Sequence, residues 1–220
     1  MEKDLNTEQR ILQAAQRVFY RAGLGGARME EIAREAGINK ALLHYYFRSK
    51  DKLFERIFVE AFHAFLPQAA ALIAGPLPLA EKITRISHFY VDLLKDKPFL
   101  PVFVLNAMQA DPEGTVQRLF AGAPVQPSHI LREVLRQIQQ EFEGREKKPD
   151  PRHLFVNVLS LSVFPFAARP ILRQFLGMDD DAFLAFIETR RQIVPQVILA
   201  WLRSEYGLSS PESPSSELPT

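Results

Sequence analysis

The residue types best suited to chemistry in this chain gather between positions 28 and 50. Lys40, Ala41, His44, Tyr45 and Arg48 fall on one side of a predicted helix, a set rich in hydrogen-bond donors and flat rings. Lys50 sits in the first turn of the next predicted helix, where an ammonium group and backbone N–H groups can converge on a phosphate. Catalysis has less to draw on. The five His residues, at 44, 63, 88, 129 and 153, show no HExxH or similar metal-binding spacing, and there is no Cys. No Gly-rich phosphate loop or nucleophile elbow occurs. The acidic runs Glu30-Glu31 and Asp179-Asp180-Asp181 stand at predicted helix starts, where solvation and the helix dipole account for them. The expectation is a protein that is not an enzyme and uses no cofactor and no metal.

The elements that position this set read clearly from the pattern. Met29, Ile32, Ala33 and Ala36 recur at i, i+3, i+4 and i+7, one apolar helical stripe. Gly37 breaks it and suits a sharp turn at positive φ. Ile38 can plug the angle between the helices, and Asn39 is a good cap for the next one. That helix buries Leu43 and Phe47, while Ser49 can cap a third. Two short helices around a Gly turn make either an ordinary αα-corner with a basic outer face or a helix-turn-helix, whose second helix can enter the DNA major groove.

Further detail favours the second. The residues Ile32-Ala33-x-x-Ala36-Gly37-Ile38, then Lys40, Leu43, Tyr46-Phe47 and Ser49-Lys50-x-x-Leu53, closely resemble the TetR family of bacterial transcriptional regulators. The resemblance covers about residues 7 to 56. It departs at Arg28, where a capping Thr is common, at Ala41 and Leu42, where Gly and a small polar residue are common, and at His44, where Tyr is common. The family motif implies that Arg28, Asn39, Lys40, Ala41, Leu42, His44, Tyr45, Tyr46 and Lys50 face double-stranded DNA or its flanks. Leu42 suits a thymine methyl, and Lys40 either a guanine edge or a phosphate.

With 220 residues and 47% hydrophobic content, the chain can bury a real core. No signal-peptide-like run and no uncharged apolar stretch of membrane-spanning length is visible, so the expected location is the cytoplasm, with no membrane partner. Residues 1–56 carry 11 Lys+Arg against 8 Asp+Glu, and the remainder 16 against 18, which permits a DNA-binding head on a neutral body.

The expected fold is all-α. Residues 1–48 form a three-helix head, with Asn6 or Thr7 capping its first helix, Gly23 ending it, and Phe19 and Phe47 at its centre. Residues 49–66 form a connecting helix ending at Pro67, residues 67–208 a ligand-binding and dimerisation body, and residues 209–220 a disordered tail. His63 on the connecting helix reads as a surface or packing residue. In the body, Ser128 and Asp150 are helix caps, the run from Glu143 to Lys148 is a solvated helix end, and Pro165 and Pro170 kink or interrupt an almost wholly apolar helix. The final helix carries Phe183, Phe186, Ile187, Val194, Val197, Ile198 and Trp201 on a stripe wide enough for two partners or for an internal bundle core. The family resemblance implies a homodimer built on the last two helices, together with a small-molecule inducer whose binding swings the heads apart through the long fourth helix. An apolar or aromatic ligand touching some of Phe89, Phe103, Asn106, Asn157 and Phe164 is expected, although each Phe also suits an ordinary core. The other expectation is a helical binding protein whose DNA head is vestigial.

Overall fold

In the computed structural model, which describes residues 2–123 and 125–209, every regular element is a helix. In order these are α1 (Glu2–Gly26), α2 (Met29–Glu35), α3 (Lys40–Tyr46), α4 (Lys50–Ala74), α5 (Leu79–Asp96), α6 (Leu100–Ala110), α7 (Pro112–Phe120), α8 (Pro127–Glu141), α9 (Pro151–Ala167), α10 (Arg169–Leu176) and α11 (Asp180–Tyr206). The chain divides into two compact units: Met1–Gln68 with Leu93–Val125, and Ala69–Asp92 with Gln126–Thr220. The residues around α6 and α7 therefore group with the head. Of the expected tail, residues 210–220 lie outside the described residues.

In the first unit, Ile11, Ala14, Ala15, Val18 and Phe19 of α1 are buried against Ile32 and Ala33 of α2, with Leu43, Phe47, Phe54 and Ile57. Phe19 is fully buried and meets Phe54 edge to face at 4.7 Å between ring centroids, and Phe54 meets Phe99 in turn at 5.4 Å. Burying one such ring is worth about 1.5–3 kcal/mol, and burial of this kind holds α2 and α3, seven residues each and too short to stand alone. The regular winding of α1 breaks at Gly23 (φ 65°), as the sequence suggested, but the helix begins at Glu2 and not at a cap on Asn6 or Thr7. His63 Nε2 lies 3.0 Å from the Leu119 carbonyl oxygen, a packing role.

Pro67 does not end α4, which continues to Ala74. The missing N–H costs a bond to the preceding turn, but Phe65, Leu66 and Ala69 on either side are all buried, and packing carries the helix through. By length and composition α4 could cross a membrane. Its apolar side is accounted for by burial of Phe54, Ile57, Phe58, Ala61, Phe65, Leu66 and Ala69, with Glu60 midway along it.

The second unit is centred on Leu79 and Ile83 (α5), Ile138 (α8), Leu154 and Val158 (α9), and Val194, Ile198 and Leu202 (α11), with Phe142 and Leu208. Asp150 caps α9 through the Arg152 N–H, and its carboxyl is pulled down to about 2, first by the Arg152 side chain and then by that N–H. Ser128 does not cap α8: the capping position is Gln126, whose side chain makes no cap bond. Pro165 is tolerated inside α9, and the interruption comes at Ala168, where α9 and α10 bend by 70° with Pro170 in the first turn of α10. The charged run after α8 is more than a solvated end. Arg145 donates to the Tyr206 carbonyl at 3.0 Å and to that of Gly207, capping the last turn of α11. In this unit apolar side chains are left exposed on α8 (Leu131 and Leu135), on α9 (Phe155, Val156 and Phe164), on α10 (Ile171, Phe175 and Leu176) and on α11 (Leu184, Ile193 and Val197).

Candidate nucleic-acid interface

The head presents α3 on a frame built by α2 and the turn between them. At the end of α2, Gly37 takes φ 64°, its N–H bonds the Arg34 carbonyl at 3.1 Å, and the Ile38 N–H bonds the Ala33 carbonyl at 3.0 Å. This paired closure is a Schellman motif, and it needs the left-handed residue that glycine supplies. Arg10 of α1 adds a donor, 2.6 Å from the Ala36 carbonyl oxygen. The next residues start the new helix: the Asn39 side chain accepts from the Leu42 N–H at 2.8 Å, the cap expected from sequence. Ser49 likewise accepts from the Lys52 N–H at 3.1 Å and opens α4.

Of the seven residues in α3, Leu43 is buried and Tyr46 half-buried, while Lys40, Ala41, Leu42, His44 and Tyr45 are exposed. Tyr45 is 81% exposed and stands perpendicular to Tyr46, with ring centroids 5.5 Å apart. Arg48 is exposed just beyond the helix. Such a face, carrying cations, rings and a lone aliphatic side chain, offers hydrogen bonds to base edges and phosphates and an apolar contact for a thymine methyl.

Arg28 is disposed as the sequence implied, whereas the partners of Lys50 and Lys40 were not visible in it. Arg28 occupies the capping position of α2 without making a cap bond, so its guanidinium is exposed. Lys50 Nζ donates to the Ala27 carbonyl at 3.1 Å, so it secures the joint between α1 and α2. Lys40 pairs with the Glu30 carboxylate of α2, which this bond, more than the backbone N–H beside it, holds below the usual carboxylate range. Arg17 holds Glu35 at 2.8 Å, and Arg21 reaches Glu35 at 3.0 Å and Glu31 at 3.3 Å, tying α1 to α2. These pairs are exposed and contribute little individually. Neither Arg10 nor Glu30 could be assigned from spacing, because their partners depend on how two helices meet.

The residues expected to meet a ligand are distributed over both units. Phe89 (half-buried), Asn157 (half-buried) and Phe164 (60% exposed) belong to one unit, and Asn106 (exposed) to the other. The Phe103 side chain lies outside the described residues. Two clefts in the first unit are lined by other residues. One, of about 300 Å³, lies among Ser49, Lys52, Glu55, Phe58, Arg118 and Leu119, and the other, of about 450 Å³, among Arg17, Tyr20, Arg21, Lys95 and Phe99. Among the described residues, no cluster of three or more His, Asp or Glu could hold a metal ion.

A capped, glycine-turned helix pair with an exposed second helix has the geometry of a helix-turn-helix. Known proteins agree. The family of bacterial regulatory proteins of the tetR type matches residues 11–57. The HTH-type transcriptional repressor NicS of Pseudomonas putida is 28% identical over 187 residues, covering 79% of this chain and 82% of that protein. The HTH-type transcriptional regulator RutR of Escherichia coli is 36% identical over 88 residues, 40% of this chain and 41% of its own. Among solved structures, a TetR/AcrR-family regulator from Thermobifida fusca aligns over 86% of this chain and 97% of its own, with a TM-score of 0.59 and 15% identity. FadR from Bacillus subtilis, solved in complex with stearoyl-CoA, aligns over 84% and 96%, with a TM-score of 0.55 and 18% identity. Residues 11–57 thus match the tetR family of bacterial regulatory proteins, and over most of its length the chain is similar to an HTH-type transcriptional repressor.

Proposed function

We propose that the chain is a ligand-responsive repressor that binds a near-palindromic operator as a homodimer and leaves it when a small apolar or aromatic inducer occupies the body. The observation that carries this is the exposed face of α3, with Lys40, His44 and Tyr45 turned outward from a turn fixed by Gly37 and Asn39. On this reading Lys40, Ala41, Leu42, His44, Tyr45 and Tyr46 meet the groove or its walls. Arg28, Asn39 and Lys50 meet the flanks, where forked or clustered donors suit phosphates. Repression, rather than activation, draws support from the relative NicS, itself a repressor. Dimerisation through α9 and α11 draws support from Phe155, Val156, Leu184 and Val197, apolar side chains that one chain alone leaves exposed. Two such heads require half-sites about 34–36 Å apart or a multiple of that spacing.

The inducer would touch some of Phe89, Phe103, Asn106, Asn157 and Phe164, and the fold neighbour solved with stearoyl-CoA supports an apolar occupant. Work in the cytoplasm follows from this role. A mobility-shift experiment with the DNA upstream of the chain's own gene tests the proposal. A shift that is competed by the same duplex and not by an unrelated one is expected. No shift at any protein concentration up to 10⁻⁶ M, the order at which even non-specific binding sets in, would leave a helical binding protein with a vestigial head.

A further inference from the structure

Resting on the reading of α3 as the DNA-facing helix, we infer that Glu30 and Lys40 act as one two-atom reader that selects a G·C base pair in each half-site, with guanine taking the ammonium and its paired cytosine facing the carboxylate. Two observations carry this. The first is the ion pair itself, which joins the second residue of α2 to the first residue of α3 and leaves both side chains more than half exposed (62% and 55%). The second is its position beside the exposed residues Ala41, Leu42, His44 and Tyr45, the side of α3 that a groove would meet.

Lys40 alone could take a guanine edge or a phosphate. Glu30 decides between them. With Lys40 on a phosphate, the carboxylate it holds would be carried against the same anion, and the two like charges would repel at short range. A base edge removes the conflict. In the major groove a G·C pair presents guanine O6 and N7 as acceptors and cytosine N4–H₂ as a donor. Guanine O6 and cytosine N4 are hydrogen-bonded to each other, so they lie about 2.9 Å apart, the spacing of a paired ammonium and carboxylate. Lys40 can then donate to O6 while cytosine N4–H donates to Glu30, closing a ring of four bonds without breaking the ion pair. A T·A pair also sets an acceptor beside a donor. Its C5-methyl, however, stands where guanine N7 would accept a second ammonium proton, so guanine is favoured over thymine. The reverse pairs, C·G and A·T, place donor and acceptor the wrong way round.

The test is selection of binding sites from a randomised double-stranded DNA pool by the full chain, by E30A, by K40A and by the double variant. Thermal melts followed by circular dichroism report that each variant is folded. The native chain should enrich a two-fold symmetric site with guanine fixed at one position of each half-site. E30A and K40A should both relax that same position, by about 5- to 150-fold in preference, and the double variant should relax it no further. E30Q, which keeps an acceptor oxygen, should retain more of the preference than E30A. Because the pair touches no phosphate, K40A should leave the dependence of log K on log salt unchanged.

Other results would overturn the inference. They are relaxation at different positions for the two variants, an E30A that binds every sequence more tightly with its base preferences intact, or a salt slope shallower by about 0.9 per head in K40A, the mark of a lost phosphate contact. Failure of the native chain to enrich any site would remove the DNA-binding reading, and this inference with it.

Discussion

Replacing Lys50 by Met tests the two tasks that the structure and the DNA-binding proposal give one side chain. Methionine keeps most of the aliphatic stem and removes the ammonium group, so packing along α4 changes little. What is lost first is the bond from Nζ to the Ala27 carbonyl, 3.1 Å long and half-buried. A bond from an ionised donor is worth about 1.5–3 kcal/mol, and partial exposure puts this one near the low end, about 1.5 kcal/mol. With a urea m-value of about 2 kcal/mol/M, the unfolding midpoint of Lys50→Met should fall by about 0.7 M at an unchanged m-value and a fixed protomer concentration. The second loss is on DNA. If the same ammonium also meets a phosphate, affinity should drop alike on all operator variants, and the slope of log K against log salt should become shallower by about 0.9 per head. Equilibrium urea denaturation and binding titrations at several salt concentrations read the two effects separately. A lower midpoint with an unchanged salt slope would leave the Ala27 bond and remove the phosphate contact. An unchanged midpoint and slope would refute both.

Further expectations are simpler. Asn39→Ala removes the bond that caps α3, which should cost about 1 kcal/mol in denaturation experiments and weaken DNA binding, whereas Asn39→Asp should retain the cap. Burial first, and then the Arg191 guanidinium, push the His88 imidazole below its ordinary pKa, and its Nε2 is buried with no hydrogen-bond partner among the described residues. The unfolded chain therefore binds the proton more readily, so the His88 contribution to stability should be complete above about pH 6.5 and lost as pH falls below it. Urea midpoints at stepped pH measure this, and His88→Leu should flatten that part of the profile. Val197→Glu sets a charge on the exposed apolar face of α11, and if the chain pairs through that face as proposed, sedimentation at micromolar protomer concentration should show dimer for the native chain and monomer for the variant.

The head could be read from sequence because its signals are local. Gly37 must supply a positive φ, Asn39 an oxygen for the next helix, and the apolar stripe Ile32-Ala33-Ala36 one buried face, and each lies within a few residues of what it controls. Features that depend on elements far apart in the chain were not legible. Arg10 capping α2, Glu30 holding Lys40 and Arg145 closing the end of α11 all depend on how separate helices meet. Pro67 shows a different failure: a local breaker was overruled by burial on both sides of it. Ser128 failed as a cap because α8 starts one residue earlier, at Pro127, a first-turn proline that needs no N–H partner. The ligand residues were least legible. Aromatic content alone does not separate a cavity wall from a core, and the five expected positions fall in both units.

The structure assigns Leu43 alone in α3 to the deep core and supports the helix from behind, through Asn39, the Gly37 turn and Arg10. Substitutions at exposed positions away from such supports usually change stability by no more than about 0.5 kcal/mol. Positions 41, 42, 44 and 45 can therefore be exchanged with almost no effect on whether the head folds. Mutational tolerance is thus concentrated on the surface that would meet DNA and withheld from the turn that aims it. A lineage starting from this chain could change the sequence it recognises one residue at a time and remain folded at every step. The same separation makes the head a practical starting point for selecting new target sequences, with the turn residues left untouched.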